Sequence, residues 1–117
     1  MDQLNTNLQG GIFMASNLEI TYLKHSGFAV RSKDTLLVFD DAQGKAGEDD
    51  TLADGRIPQS LIDAHQRTIY FASHAHSDHF NPEIYNFSDE SIIHYVLGYD
   101  IPAPYGGYRM RKGEHLT

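Results

Sequence analysis

The 117-residue sequence predicts a mixed α/β fold, a sheet of α+β character with short helices laid over it, in one small domain. Three observations predict it. The chain is 40% hydrophobic and 21% charged, the balance of a globular protein with one modest core. Three strand-like segments come first, and helical and strand-like segments then alternate. Two of the strand-like segments, TLLVFD (35–40) and TIYFAS (68–73), are continuous apolar runs bounded by polar turns, the pattern of strands buried on both faces.

Each element has its own local reason. Residues 1–16 read as a flexible leader, and 17–117 as the domain. LEITYL (18–23) alternates apolar and polar residues, as a half-buried strand does. Lys24, His25, Ser26 and Gly27 form a turn into a second strand, FAVR (28–31). Ser32, Lys33 and Asp34 turn the chain into TLLVFD, so the three strands form an antiparallel meander. Residues 41–55 have Gly and Asp but no periodicity, a long loop of the kind that is often functional or mobile. Pro58 opens a short helix, PQSLIDAH, that turns Leu61 and Ile62 to the core. TIYFAS is the next strand. Asn81 as N-cap and Pro82 at the first helical position start a helix in NPEIYNF (81–87). SIIHYVL (91–97) is a last strand, and the remainder, with its prolines and Gly-Gly pair, reads as irregular.

Charge and composition remove several function classes. Net charge is −7, with 16 acidic against 9 basic residues, which argues against binding along a nucleic-acid backbone. The only basic cluster, Arg109, Arg111 and Lys112, reads as a solvated tail. No apolar run is long enough to span a bilayer, and the first residues lack the charge and apolar segment of a signal peptide. There are no cysteines, so no disulfide and no thiolate ligand exist, and the cytoplasm is the default compartment. The acidic loop does not make a calcium hand: Leu52 and Leu61 fall where that loop needs carboxylates or amides.

The chemistry concentrates in SHAHSDHF (73–80). His74, His76, Asp78 and His79 crowd into six positions where a buried strand ends and a helix begins. Ligands collect at the carboxyl ends of strands in open α/β sheets. If extended geometry continues past the strand, His74 and His76 point to one side and suit one ion, while Asp78 and His79 face a second ion after the turn. A divalent cation supplies the charge that Asp78 needs and accepts the imidazole lone pairs. The plainer reading is a His-rich surface loop, or a tract that binds metal without chemistry. The apolar strand before the cluster and the helix start after it disfavour both.

His74-Ala75-His76-Ser77-Asp78-His79 resembles the HxHxDH motif of the metallo-β-lactamase superfamily of metallo-hydrolases. The strand meander before it looks like that family's N-terminal strands, over about residues 18–97. The resemblance implies the first half of an αββα sandwich, a partial domain truncated on its C-terminal side. It implies that His74, His76, Asp78 and His79 ligate one or two ions, usually zinc although other divalent metals serve, and that Asp40 supports them from behind. Asp78 would be the catalytic carboxylate, orienting a metal-bound hydroxide that attacks an ester, amide, thioester or phosphodiester of a small-molecule substrate. His25, in the first turn, is a candidate for the cleft. The family's later ligands have no match: His94 lies inside a strand, His115 in the tail, and Asp89 and Asp100 in no recognisable segment. Self-association or a complementing chain is therefore expected, because half a sandwich leaves an apolar sheet face. The rival readings are a non-catalytic metal-binding module and an inactive fragment.

Overall fold

A computed structural model describes residues 8–9, 12–15, 17–47, 51–88, 90–102 and 107–116. Its centre is one eight-stranded sheet whose spatial order follows the chain, β1 to β8. The strands are β1 (Leu8–Gln9), β2 (Ile12–Ala15), β3 (Leu18–Lys24), β4 (Gly27–Arg31), β5 (Thr35–Phe39), β6 (Arg67–Ala72), β7 (Ile93–Gly98) and β8 (Tyr108–Met110). From β1 to β5 the pairing is antiparallel, and from β5 to β8 it is parallel. The mixed α/β class and the three-stranded meander are as the sequence predicts.

Four elements differ from the expectation. The leader carries β1 and β2, and β2 pairs with β3 from Ile12↔Thr21 to Ala15↔Leu18; residues 1–7, 10, 11 and 16 lie outside the described residues. The stretch expected to be irregular contributes β8, paired to β7 from Val96↔Tyr108 to Gly98↔Met110. The helix expected over 58–65 is one turn, α1 (Gln59–Asp63), with Leu61 and Ile62 buried as predicted. The helix expected from Asn81 is a 3₁₀ turn, Pro82–Tyr85, and the Asn81 side chain accepts from the Glu83 amide in the N-cap role.

The parallel strands force the connections to cross the sheet. Right-handed crossovers between strands added in one direction place every crossover on the same face. Ile57, Leu61, Ile62, Ile84, Tyr85, Phe87 and Ile101 accordingly join Leu36, Val38, Tyr70, Ala72, Tyr95 and Leu97 in a single core on that face. The Tyr95 hydroxyl donates to the Ile84 carbonyl at 2.9 Å, pinning the 3₁₀ turn to β7.

Neither TLLVFD nor TIYFAS is buried on both faces. Leu36 and Val38 are fully buried, while Thr35, Leu37 and Phe39, which alternate with them, are half-exposed. Register continues this second face across the sheet. One row runs Tyr22, Phe28, Phe39, Phe71, Val96, and the next runs Ile20, Val30, Leu37, Ile69, His94. Phe28 and Tyr22 are 43% and 48% exposed. No described element covers this open face. Among the described residues no helix is long and apolar enough to cross a membrane.

Candidate metal centre

The histidine-rich loop leaves the carboxyl end of β6, between the ends of β5 and β7. An aspartate stands at each neighbour's end. Asp40, following β5, accepts from the Ser73 backbone amide through Oδ1 at 2.7 Å. Asp100, two residues beyond β7, accepts from the Ala75 amide through Oδ2 at 3.2 Å. The loop is thus tied at two amides by carboxylates from both sides. β7 also approaches closely here: a β-carbon on Gly98 would overlap the Ser73 carbonyl oxygen, so glycine alone fits.

Asp40 adopts φ 47°, in the left-handed region that asparagine and aspartate tolerate best. That twist brings its second oxygen, Oδ2, to the Ser73 hydroxyl at 2.9 Å and to His79 Nδ1 at 3.0 Å. The Ser73 Oγ lies 2.9 Å from His74 Nδ1. Proton counting settles the direction of each bond. A carboxylate only accepts, so His79 Nδ1 carries a proton and the single Ser73 hydroxyl proton goes to Asp40. Ser73 Oγ can then only accept from His74, whose Nδ1 must also be protonated. One carboxylate therefore sets both imidazoles in the tautomer that leaves Nε2 with its lone pair. This is the arrangement in which histidines ligate metals, with the other ring nitrogen donating to a carboxylate or a group it orients.

The three rings lie together. His74 and His76 centroids are 4.6 Å apart at 78°, and His74 and His79 are 4.0 Å apart at 39°. His79 Nε2 faces Asp78 Oδ2 at 3.5 Å. The extended geometry expected past the strand does not continue. The chain reverses, with the His79 and Phe80 amides both donating to the His76 carbonyl, so His79 returns onto His74 instead of facing away from it. Imidazole nitrogen and carboxylate oxygen are donor types that a borderline divalent ion such as zinc accepts. Among the described residues no three histidine or acidic side chains close on one point as a finished cage. His74 and His79 bond to Ser73 and Asp40, while His76 is exposed and the Asp78 side chain is 58% exposed.

The remaining candidates separate clearly. His25 sits in the β3–β4 turn at the same end of the sheet, exposed at φ 52°; its carbonyl accepts from the Tyr22 hydroxyl, and its ring makes no hydrogen bond among the described residues. His94 is exposed on the open face. His65 is buried, with Nδ1 at 2.8 Å from the Leu61 carbonyl, a structural role. Two contributors went unassigned in the sequence. Ser73 looks like an ordinary strand end, and only geometry makes it a proton relay. Asp100 carries the same signal as Asp40, an acid just past a strand flanking the loop.

Asp41, next to Asp40, turns into the core. Burial pushes its carboxyl from 3.8 up to about 6, against the opposing pull of the Gln43 and Gly44 amides and Arg56. Both amides donate to Oδ1, while Oδ2 is buried with no partner among the described residues. Tyr70, also buried and without a hydroxyl partner there, is raised well above its usual range by burial first and by Asp41 second. No family model matches the chain, and neither a curated protein nor a solved structure matches it.

Proposed function

We propose that the chain carries the histidine-rich part of a metal-dependent hydrolytic site of the metallo-β-lactamase type, acting on a small-molecule ester, amide, thioester or phosphodiester. The observation that carries this reading is the relay from Asp40 through Ser73, which orients His74 and His79 as neutral ligands at the carboxyl end of β6. His74 and His76 would hold one ion, and Asp78 and His79 would complete that site or hold a second. A bound divalent ion supplies Lewis acidity and a water that ionises near neutral pH. Asp78, exposed and 3.5 Å from His79 Nε2, would serve as the carboxylate that orients a water or takes its proton. Asp40 and Asp100 keep the loop in place from the two neighbouring strands. The open apolar face is where a complementing layer, a second copy or another chain, would add ligands and exclude water.

The test is hydrolysis of 4-nitrophenyl acetate and bis(4-nitrophenyl) phosphate by the zinc-loaded chain, beside His76→Ala and Asp78→Ala. The reading expects zinc-dependent turnover that both substitutions abolish with the circular dichroism spectrum retained. Zinc-dependent turnover that survives both substitutions would overturn it. A second reading, a metal-binding module without turnover, is favoured by the absence of a closed three-ligand cage among the described residues. It expects zinc uptake with no hydrolysis of either ester.

A further inference from the structure

The basic cluster near the C-terminus does not lie on a free tail. β8 runs parallel to β7, so Arg111 and Lys112, which follow it, emerge at the same carboxyl-end edge as Asp40 and Ser73. Between these two walls lies a cavity of about 450 Å³. Its floor includes Phe39 and Phe71, stacked with centroids 4.7 Å apart and planes 9° from parallel, together with Val96. Arg111 and Lys112 line one side, and Asp40 and Ser73, the anchors of the histidine loop, line another. A second depression at the end of β8 is lined by Tyr99, Arg109, Arg111 and Lys112; Arg109, in register with the core-facing Leu97, stands on the other face of the sheet from Phe39 and Phe71.

The electrostatics are local and opposed to the rest of the molecule. The chain carries net charge −7, yet three of its nine Lys and Arg residues stand within four positions at this edge. Two carboxylates stand at this edge and both are engaged: Asp40 by Ser73 and His79, and Glu114, whose Oε2 accepts from the Tyr108 hydroxyl at 2.6 Å and Oε1 from the Arg111 backbone amide at 3.0 Å. Neither the Arg111 nor the Lys112 side chain forms an ion pair among the described residues. The cavity volume is that of a small-molecule site, apolar on its floor with few polar groups at its rim.

We infer that this cavity binds an anionic amphiphile, an aromatic or alkyl body on the Phe39–Phe71 floor with an oxyanion group at Arg111 and Lys112. Its role as the substrate cleft rests on the proposed hydrolytic site, because the wall opposite the cations is the one that anchors the histidine loop. The substrate class is then a carboxylate- or phosphate-bearing ester or amide with an apolar body, its charged end held by the cations.

The test uses two dyes with one aromatic body, 8-anilinonaphthalene-1-sulfonate and its uncharged counterpart N-phenyl-1-naphthylamine, titrated into the full chain. The expected result is that the sulfonate binds about tenfold more tightly than the neutral dye at low salt. Added salt should narrow that difference, and Arg111→Gln/Lys112→Gln should erase it while leaving the neutral dye's affinity in place. Equal affinity of the two dyes for the parent chain would overturn the inference. So would a preference that persists in the double variant. Parallel zinc titration of the parent chain separates the two readings. Charge-selective dye binding without zinc uptake sinks the hydrolytic site and leaves the anion cavity standing, and zinc uptake without charge selectivity does the reverse.

Discussion

Asp40→Asn probes the relay with the least disturbance to the backbone. Asparagine tolerates the left-handed φ of 47° as aspartate does, so no new strain is added. Its amide oxygen can still accept from the Ser73 amide, replacing the 2.7 Å bond to Oδ1. Its nitrogen, however, takes the place of Oδ2 and can only donate. His79 Nδ1, 3.0 Å away, must then accept, and its proton moves to Nε2. The other amide proton goes to the Ser73 oxygen, whose hydroxyl proton then turns to His74 Nδ1, so that ring too moves its own proton to Nε2. Removing such a carboxylate behind a ligating histidine costs about 10- to 100-fold in metal affinity, or ~1.4–2.8 kcal/mol. Without metal, the loss of charge-assisted bonds costs about 1–2 kcal/mol, since the site is only partly exposed. Competition with a chromophoric chelator measures the zinc affinity. Long-range ¹H–¹⁵N correlation on the metal-free chain reads the tautomers of His74 and His79. Zinc affinity within twofold of the parent, or a His79 that keeps its proton on Nδ1 in the variant, would refute the reasoning.

Three other perturbations test the surroundings. Gly98→Ala drives a methyl into the Ser73 carbonyl and should cost about 2 kcal/mol or more in urea unfolding; a cost below about 0.5 kcal/mol would mean that the strand end yields freely. Asp41 binds its proton more tightly in the fold than in the unfolded chain, so stability should fall as pH rises from about 3.8 to about 6 and stay lower above that. The full effect is about 3 kcal/mol, and Asp41→Asn, which keeps an acceptor for Gln43 and Gly44, should flatten the slope between pH 4 and pH 7; an unchanged slope assigns it elsewhere. On the open face, Phe28→Lys with Ile69→Lys should shift a self-associating parent toward monomer in sedimentation velocity, and a parent that is monomeric at every concentration removes the second-copy reading.

The sheet was largely legible because its strands carry their own patterns and its turns their own residues. Leu61 and Ile62 were read to the core from a single helical turn, and Asn81 as an N-cap from its proline neighbour. What escaped depends on distance in sequence. β8 is three residues of ordinary pattern, and it becomes a strand only because β7 presents an unpaired edge to it. The one-sided burial of TLLVFD and TIYFAS could not be read from their apolar runs, since a run records what a face can bury and not whether a layer arrives to bury it. Within the site, the four residues from His74 to His79 and the supporting Asp40 were visible as residue types. Their geometry was not, because it follows from a chain reversal at His76 and a serine hydroxyl with one proton to give. Asp100 and Ser73 gain their roles only from contacts spanning 25 and 33 positions.

The central claim is that this loop is organised to hold a divalent ion. Native mass spectrometry of the chain after equilibration with zinc tests it most directly, since it reports metals per chain and chains per particle together. The account predicts one or two zinc ions per chain in the parent, with occupancy lost in His74→Ala/His79→Ala. A parent that stays metal-free under excess zinc, or one whose zinc survives loss of both histidines, would contradict it.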